Sequence, residues 1–364
     1  MRWGQRVPQS APRRAACRPS AEGLEARIVM VTDLAAIATA PLGVELASSN
    51  PSAGLGSSVA DLGDVNGDGF SDFAVGAPSS VRNGTTINIG NGINTAAFVV
   101  FGSRSVDAGT VDWLTLNAQN RVGNLDTFNL GQTRQTNPLN GNPGFNFEGL
   151  ILTASQTTNA SVGTSVGAAG DVNGDGFNDI LIGASGSTDL NNGTPGTGRA
   201  YLIYGGANLN LAVGANRNID LDNVNANNNL NIITFVNTSN NSAGPQGSQT
   251  GASVAGVGDV LQDGFPDIAI GAPNATVGGQ VNAGAVYLVS GAVLRNFQTR
   301  TINLSTIGQG NGTAGVIFAG AAAGDRTGFS VAGAGNIDGD TTSANQPISD
   351  ILIGSPGTSA NPHS

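Results

Sequence analysis

Residues 163–185 read GTSVGAAGDVNGDGFNDILIGAS, and this stretch decides the fold because the chain carries it three more times. Residues 56–78 read GSSVADLGDVNGDGFSDFAVGAP, residues 251–273 read GASVAGVGDVLQDGFPDIAIGAP, and residues 328–356 read GFSVAGAGNIDGDTTSANQPISDILIGSP, with six extra residues in the middle of the last. In every copy eight positions separate the first Gly from the start of the acidic turn: Gly56 to Asp64, Gly163 to Asp171, Gly251 to Asp259, Gly328 to Asn336. Four positions separate the last Asp from the closing Gly: Asp72 to Gly76, Asp179 to Gly183, Asp267 to Gly271, Asp350 to Gly354. Self-similarity at fixed offsets is the mark of a repeat architecture.

Each copy reads as a β-hairpin: a small-residue strand, an acidic Gly-rich turn, then a short apolar strand such as Ile180-Leu181-Ile182. A third strand follows in three copies, at Ala97–Phe101, Ala200–Tyr204 and Ala285–Val289, and a fourth is expected at Trp113–Leu116, Asn218–Leu221 and Thr301–Leu304. Four short strands per unit make a propeller blade, so the expected class is all-β, a β-propeller of four-stranded blades. Four units are expected, near residues 43–117, 147–221, 232–304 and 316–364, the last incomplete. They start 107, 88 and 77 residues apart, whereas a blade needs roughly 40 to 50. The excess falls in Asn/Gln/Gly-rich stretches, 117–146, 205–216, 222–250 and 305–315, read as inserted surface loops. Residues 43–60 align without gaps to residues 315–332, which makes Val44–Ala47 a candidate outer strand.

The acidic turns have the composition of cation sites. In residues 64–72, oxygen side chains occupy positions 1, 3, 5 and 9 (Asp64, Asn66, Asp68, Asp72), Gly69 holds position 6, and Phe70 at position 7 offers its backbone carbonyl. A tight loop of this kind supplies the six or more hard oxygen ligands that Ca²⁺ takes. Asp171, Asn173, Asp175, Phe177 and Asp179 repeat the set. The third turn offers Asp259, Asp263, Phe265 and Asp267, with Leu261 where the position-3 ligand would be; the fourth offers Asn336, Asp338, Asp340 and Asp350, with its insertion displacing the last. An EF-hand is excluded, because the position of its bidentate Glu holds Val75 or Ile182 inside an apolar strand. Asn-Gly and Asp-Gly are also ordinary hairpin-turn pairs. But a turn needs one Asp, and carboxylates about 4 Å apart repel by about 4 kcal/mol per pair at an effective dielectric near 20. About two to four calcium ions are expected.

Composition narrows the function classes. Among 364 residues there are 55 Gly, 40 Asn and no Lys, and the formal charge is −10. Six Arg lie in the first 27 residues; the remainder carries nine Arg against 23 acids, 12 of them Asp of the four turns. An acidic body without clustered basic residues is a poor nucleic-acid binder. One cysteine, Cys17, allows no internal disulfide, and the single histidine, His363, removes Ser/His/Asp and Cys/His catalysis within the chain. No run of 18 apolar residues is present, so no transmembrane helix is expected. Residues 1–40 form an Arg-rich head that runs into Leu24-Glu25-Ala26-Arg27-Ile28-Val29-Met30, similar to the leader of some large secreted bacterial proteins; a sorting segment and a disordered tail are the two readings.

The repeats resemble the FG-GAP repeat of the integrin α-subunit N-terminal β-propeller and its bacterial relatives over roughly residues 43–364, most specifically in the acidic loop followed by Gly76-Ala77-Pro78 and Gly271-Ala272-Pro273. The family's Phe before Gly is Leu55, Val162, Thr250 and Thr327 here, and Gly-Ala-Pro becomes Gly183-Ala184-Ser185 and Gly354-Ser355-Pro356. The resemblance implies a propeller of about seven blades with its calcium loops on one face. The four units would then be part of a larger ring, completed by further blades or a partner chain. It also implies a secreted or cell-surface calcium-binding module for adhesion or interaction with an extracellular protein or glycan. A carbohydrate-binding lectin is the alternative, although Trp3 and Trp113 do not recur per blade. The propeller part of a polysaccharide lyase or phospholipase is a further one. With no Lys and with Tyr201, Tyr204 and Tyr287 all in apolar strands, catalysis is not expected.

Overall fold

A computed structural model of the chain describes residues 54–78, 95–102, 149–154, 160–188, 196–207, 209, 218–222, 230–238, 247–295, 300–309, 312–342 and 344–357, with short strands at 45–47, 81–82, 85–86 and 122–124. The Arg-rich head, Trp3, Cys17, Trp113–Leu116 and His363 lie outside these residues.

Along the chain the strands are β1 (Glu45–Ala47), β2 (Val59–Gly63), β3 (Asp72–Ala77), β4 (Val81–Arg82), β5 (Thr85–Thr86), β6 (Ala96–Val100) and β7 (Val122–Asn124). Then come β8 (Gly149–Thr153), β9 (Val162–Gly170), β10 (Asp179–Ala184), β11 (Arg199–Ile203), β12 (Asn218–Asp220) and β13 (Ile232–Val236). The last third holds β14 (Ser253–Gly258), β15 (Asp267–Ala272), β16 (Ala285–Val289), a single helical turn α1 (Gly291–Leu294), β17 (Thr301–Asn303), β18 (Gly315–Ala319), β19 (Ser330–Gly335) and β20 (Asp350–Gly354).

All four acidic turns join antiparallel strands, β2–β3, β9–β10, β14–β15 and β19–β20, as the repeat predicts. The third strands β6, β11 and β16 add antiparallel to β3, β10 and β15. Three blades result, with strand orders β2-β3-β6-β8-β12, β9-β10-β11-β13-β17 and β14-β15-β16-β18, followed by the half-blade β19-β20; β1 pairs with β7 apart from these. The fold is that of propeller blades, the last of them incomplete. Strands β10, β11, β15 and β16 are buried along their whole length. Their unbroken apolar runs follow from this, since a blade strand packs on both faces.

The fourth strand is not where the sequence reading put it. The outer strands are β8, β13 and β18, antiparallel to β6, β11 and β16, and β13 lies within residues 222–250, read above as an inserted loop. Asn218–Asp220 and Thr301–Asn303 instead return to the preceding blade, where they run parallel to β8 and β13 as a fifth strand. Asp222, just past β12, is pinned to the second blade by the Arg199 guanidinium and the Tyr201 hydroxyl, each 3.0 Å from its Oδ1.

The core lies between blades. Leu150, Leu152 and Leu62 share one cluster with Ile180, Ile182, Tyr201 and Ile203 of the next blade; Leu181, Leu202 and Phe235 share another with Ile268, Ile270 and Tyr287. A third joins Ala269, Val286 and Leu288 to Val331, Ile351 and Ile353 of the half-blade. At each junction a serine hydroxyl donates to the carbonyl of the next copy's first glycine: Ser58 to Gly163 at 2.7 Å, Ser165 to Gly251 and Ser253 to Gly328 at 2.9 Å. That first glycine has φ of +83°, +82° and +86° in the three cases, which only glycine adopts at no steric cost.

Candidate metal centre

The register of the hairpins sets where each acidic side chain goes. The closing strand begins at the position-9 Asp, which pairs with the last Gly of the opening strand (Asp72 with Gly63, Asp179 with Gly170, Asp267 with Gly258) across a bulge. Position 9 is therefore inside the sheet, and Asp72, Asp179 and Asp267 are fully buried.

Both oxygens of each buried Asp accept from backbone amides. In the second loop Asp179 Oδ2 accepts from Val172 N–H at 2.9 Å and Oδ1 from Gly205 N–H at 2.8 Å; Gly205 stands just beyond β11. Asp72 bonds Val65 and Gly102 in the same way, and Asp267 bonds Leu261 and Gly291. The position-9 Asp thus straps the loop to the end of the third strand, a role the ligand spacing alone did not reveal. Burial pushes the Asp179 carboxyl from 3.8 up to about 7, neighbouring Asp175 and Asp171 push the same way, and the two amides oppose it. Burial likewise raises Asp72 and Asp267 to about 6.

Position 1 organises the turn. Asp171 Oδ1 accepts from Gly174 N–H at 2.7 Å and Asp175 N–H at 3.0 Å, and Oδ2 from Gly176 N–H at 2.8 Å; Asp64 does the same for Gly67, Asp68 and Gly69. Asp175 accepts from the Phe177 amide at 3.0 Å and from Asn173 Nδ2 at 2.9 Å. A carboxylate has about four lone-pair sites, so Asp175 and Asp179, with two bonds shown for each, retain acceptor capacity for a cation. Asn173 Oδ1, bonded to Asp175 N–H at 2.9 Å, has a second lone pair too.

The third loop gathers its charge most tightly. Among the described residues, one group of three carboxylates has its ligand oxygens within 4.8 Å of one another: Asp259, Asp263 and Asp267. Here Asp263 Oδ2 turns toward the end of β16, accepting from the Ser290 hydroxyl and from Ala292 N–H at 3.1 Å, with no Asn at position 3 to draw it away. In the fourth loop Asp350 still bonds the second-position amide, Ile337 N–H at 2.7 Å, despite the insertion. Asn336 and Asp338 accept from Gly339 and Asp340 amides at 2.6 and 2.9 Å. That loop is exposed at Asp338 and Asp340 and half-buried at Asn336.

The turn needs left-handed backbone at two places. Gly69, Gly176 and Gly264 at position 6 have φ of +86°, +92° and +89°, and position 4 is Gly67 and Gly174 in the first two loops but Gln262 at +56° in the third. A left-handed non-glycine residue costs about 1–2 kcal/mol, partly offset by the entropy glycine loses on folding. Gln262→Gly is therefore expected to stabilise the protein by about 0.5–1 kcal/mol, read as a shift in urea midpoint at constant slope. The first two loops also touch: the Phe177 ring lies over Gly67, where a Cβ would collide with it, and Asn178 N–H donates to the Asp64 carbonyl at 3.1 Å.

These features define a class: an all-β repeat protein whose neighbouring blades carry matching Asp-rich hairpin loops. The FG-GAP repeat family model matches residues 56–88, 162–203 and 250–289, so the chain carries three FG-GAP repeats, consistent with an FG-GAP repeat protein. At the level of the family such repeats support an integrin-like adhesion or interaction propeller. No curated protein matches the chain. Among the described residues no helix is long and apolar enough to cross a membrane.

Proposed function

We propose that the chain is a calcium-binding, integrin-α-like propeller that works outside the cell or at its surface, as an adhesion or protein-interaction module and not as an enzyme. The observation that carries this is the convergence of Asp259, Asp263 and Asp267 within 4.8 Å in a loop whose pattern recurs in neighbouring blades. Packing carboxylates this closely is unfavourable without a cation, and Ca²⁺ is the divalent ion that suits many oxygen ligands in a flexible loop. Asp64, Asn66, Asp68 and Asp72 would hold one ion, Asp171, Asn173, Asp175 and Asp179 a second, and Asp259, Asp263 and Asp267 a third. The carbonyls of Phe70, Phe177 and Phe265 would serve at position 7. Millimolar calcium is found outside cells, which supports the location.

The side chains that would have to act as bases support a binding role. Tyr201, Tyr204 and Tyr287 are buried, and burial raises the Tyr201 and Tyr204 hydroxyls far above their ordinary value. Tyr201 donates to Asp222, Tyr204 to the Leu294 carbonyl, and the Tyr287 hydroxyl accepts from Asn237 Nδ2.

Thermal unfolding of the whole chain in excess Ca²⁺ and in EDTA tests the reading. A site occupied at a hundred times its dissociation constant adds about 2.7 kcal/mol, so the melting temperature should rise by many degrees with Ca²⁺. Mg²⁺ at the same concentration should do much less. A cooperative melt that ignores Ca²⁺ would reduce the loops to plain turns.

A further inference from the structure

The third and fourth copies open alike, Gln249-Thr250-Gly251-Ala252-Ser253 against Arg326-Thr327-Gly328-Phe329-Ser330, and differ there at two positions. The backbone is shared. Gln249 and Arg326 are left-handed at φ of +54° and +57°, and each amide donates to the preceding blade: Gln249 N–H to the Gly196 carbonyl at 2.9 Å, Arg326 N–H to the Asn282 carbonyl at 3.1 Å. Gln and Ala therefore satisfy the fold at this place, and Arg326 and Phe329 supply side chains that the fold does not require.

The fourth copy's opening joins residues 273–284, between β15 and β16, to residues 320–329, between β18 and β19, at the strand ends opposite the acidic turns. Thr327 N–H donates to the Ala283 carbonyl at 2.9 Å, Gly324 N–H to the Val281 carbonyl at 3.0 Å, and Gly284 N–H to the Ala275 carbonyl at 3.0 Å. Among the described residues, two buried side-chain polar atoms have no hydrogen-bond partner, Thr276 Oγ1 and Arg326 Nε, and both belong to this loop pair. Folded proteins rarely leave such atoms unpaired. The Arg326 guanidinium makes no ion pair among the described residues, since the neighbouring Asp325 turns its carboxylate to the Ala322 amide at 2.8 Å. It lies over the Phe329 ring instead, 5.2 Å from the centroid. Stacking occupies a face of the guanidinium and leaves its in-plane N–H edge for a planar, bidentate partner. Arg326 as a whole is only half-buried, so that edge is within a ligand's reach.

Apolar surface flanks the cation, with Phe329 51 % and Val281 47 % exposed. The exposure of Phe329 belongs to its position: Ser57 and Thr164, its counterparts where the next blade follows in full, are exposed and half-buried. Arginine and an aromatic ring beside apolar side chains are the composition of an interface centre. We propose that Arg326, Phe329 and Val281 form a docking site for a partner protein, receiving an Asp or Glu side chain flanked by apolar residues. The carboxylate pairs with the N–H edge of Arg326, and the flanking residues cover Phe329 and Val281. On a body with nine Arg against 23 acids, one unpaired guanidinium fixes where an acidic side chain can land. The proposal rests on the reading of the chain as an interaction module and gives that module a partner chemistry, but it does not rest on calcium.

The probe is the blocked tripeptide N-acetyl-Leu-Asp-Leu-amide, titrated into the whole chain carrying isotope-labelled arginine, with the Arg326 Nε–H signal followed by NMR. Arg326→Gln assigns that signal by its loss and should melt as the parent does, because Gln249 already holds the equivalent position. A saturable shift of the Arg326 signal is expected, with the Arg199 and Arg295 signals unmoved. The Leu-Asn-Leu analogue should bind at least about tenfold more weakly, and Phe329→Ala, which copies Ala252, should weaken binding several-fold. No saturable shift, or equal binding of the Asn analogue, would overturn the proposal. Glucuronate binding better than the tripeptide would assign the site to an acidic glycan instead, and inorganic sulfate binding as well as the tripeptide would reduce it to a general anion site; either result also overturns it. A chain whose melt ignores Ca²⁺ but whose Arg326 signal still shifts would separate this site from the calcium reading.

Discussion

Gly183→Ala is expected to lower the unfolding free energy by about 3 kcal/mol or more, near the upper end of what overpacking a close-packed site costs. A Cβ at Gly183 would fall within 3.0 Å of the Gly251 carbonyl and of the Ser165 hydroxyl. The same overlap meets Gly76 against Gly163 and Ser58, and Gly271 against Gly328 and Ser253. The obstacle is backbone of the neighbouring blade, so it cannot swing aside as a flexible side chain would. Relief requires either that the blades separate or that the serine bond breaks, and separation opens the cluster between them, including Leu181, Ile268 and Ile270. Gly354 supplies an internal control, because a Cβ there meets only its own partner strand at Ser330. Gly354→Ala should cost distinctly less. Urea unfolding of both variants at constant slope decides the matter; equal midpoints for Gly183→Ala and the parent would mean that the blades do not abut along these glycines.

That junction shows how far the sequence could be read. The Gly-x-Ser opening and the closing Gly recur at fixed offsets because each must fit against the next copy, so a contact between blades leaves its trace within every single copy. The acidic spacing was legible for a related reason: the turn needs left-handed glycines and a position-1 acceptor, and both are local demands. Local demands are written in local residues. The partner of an outer strand is not. Asn218–Asp220 and Ile232–Val236 both look like strands, and nothing in either says which sheet edge it meets, since a parallel return is fixed by the side chains waiting on the other blade. The left-handed backbone of Ser161, Gln249 and Arg326, at φ of +52°, +54° and +57°, escaped for a similar reason. The first copy uses Gly54 there, and the others use residues with no turn signature. The position-9 Asp was found by its spacing, yet its strap to Gly102, Gly205 and Gly291 joins residues 24 to 30 apart and shows only in the fold.

The buried carboxylates also set an unusual pH response for the metal-free protein. Asp72, Asp179 and Asp267 take up protons in the folded state at about 6 to 7, against 3.8 for an ordinary Asp carboxyl such as the unfolded chain carries. Between those values the folded state binds more protons than the unfolded state, so stability falls as pH rises. The benefit is complete below about pH 4 and gone above about pH 7. In EDTA the melting temperature is thus expected to be higher near pH 4.5 than near pH 7.5, contrary to ordinary acid denaturation. At most, Asp72 and Asp267 contribute on the order of 3 kcal/mol each and Asp179 on the order of 4 kcal/mol. Calcium reverses the sign, because a carboxylate must be deprotonated to serve as a ligand. The stabilisation by Ca²⁺ over EDTA should be greatest near pH 7.5 and shrink as pH falls through 6. Asp179→Asn removes one titrating group and should flatten part of the EDTA slope. Melts across pH 4.5 to 7.5, with and without Ca²⁺, provide the test; a metal-free protein that loses stability on acidification would show that burial does not hold these three carboxyls above the value of the unfolded chain.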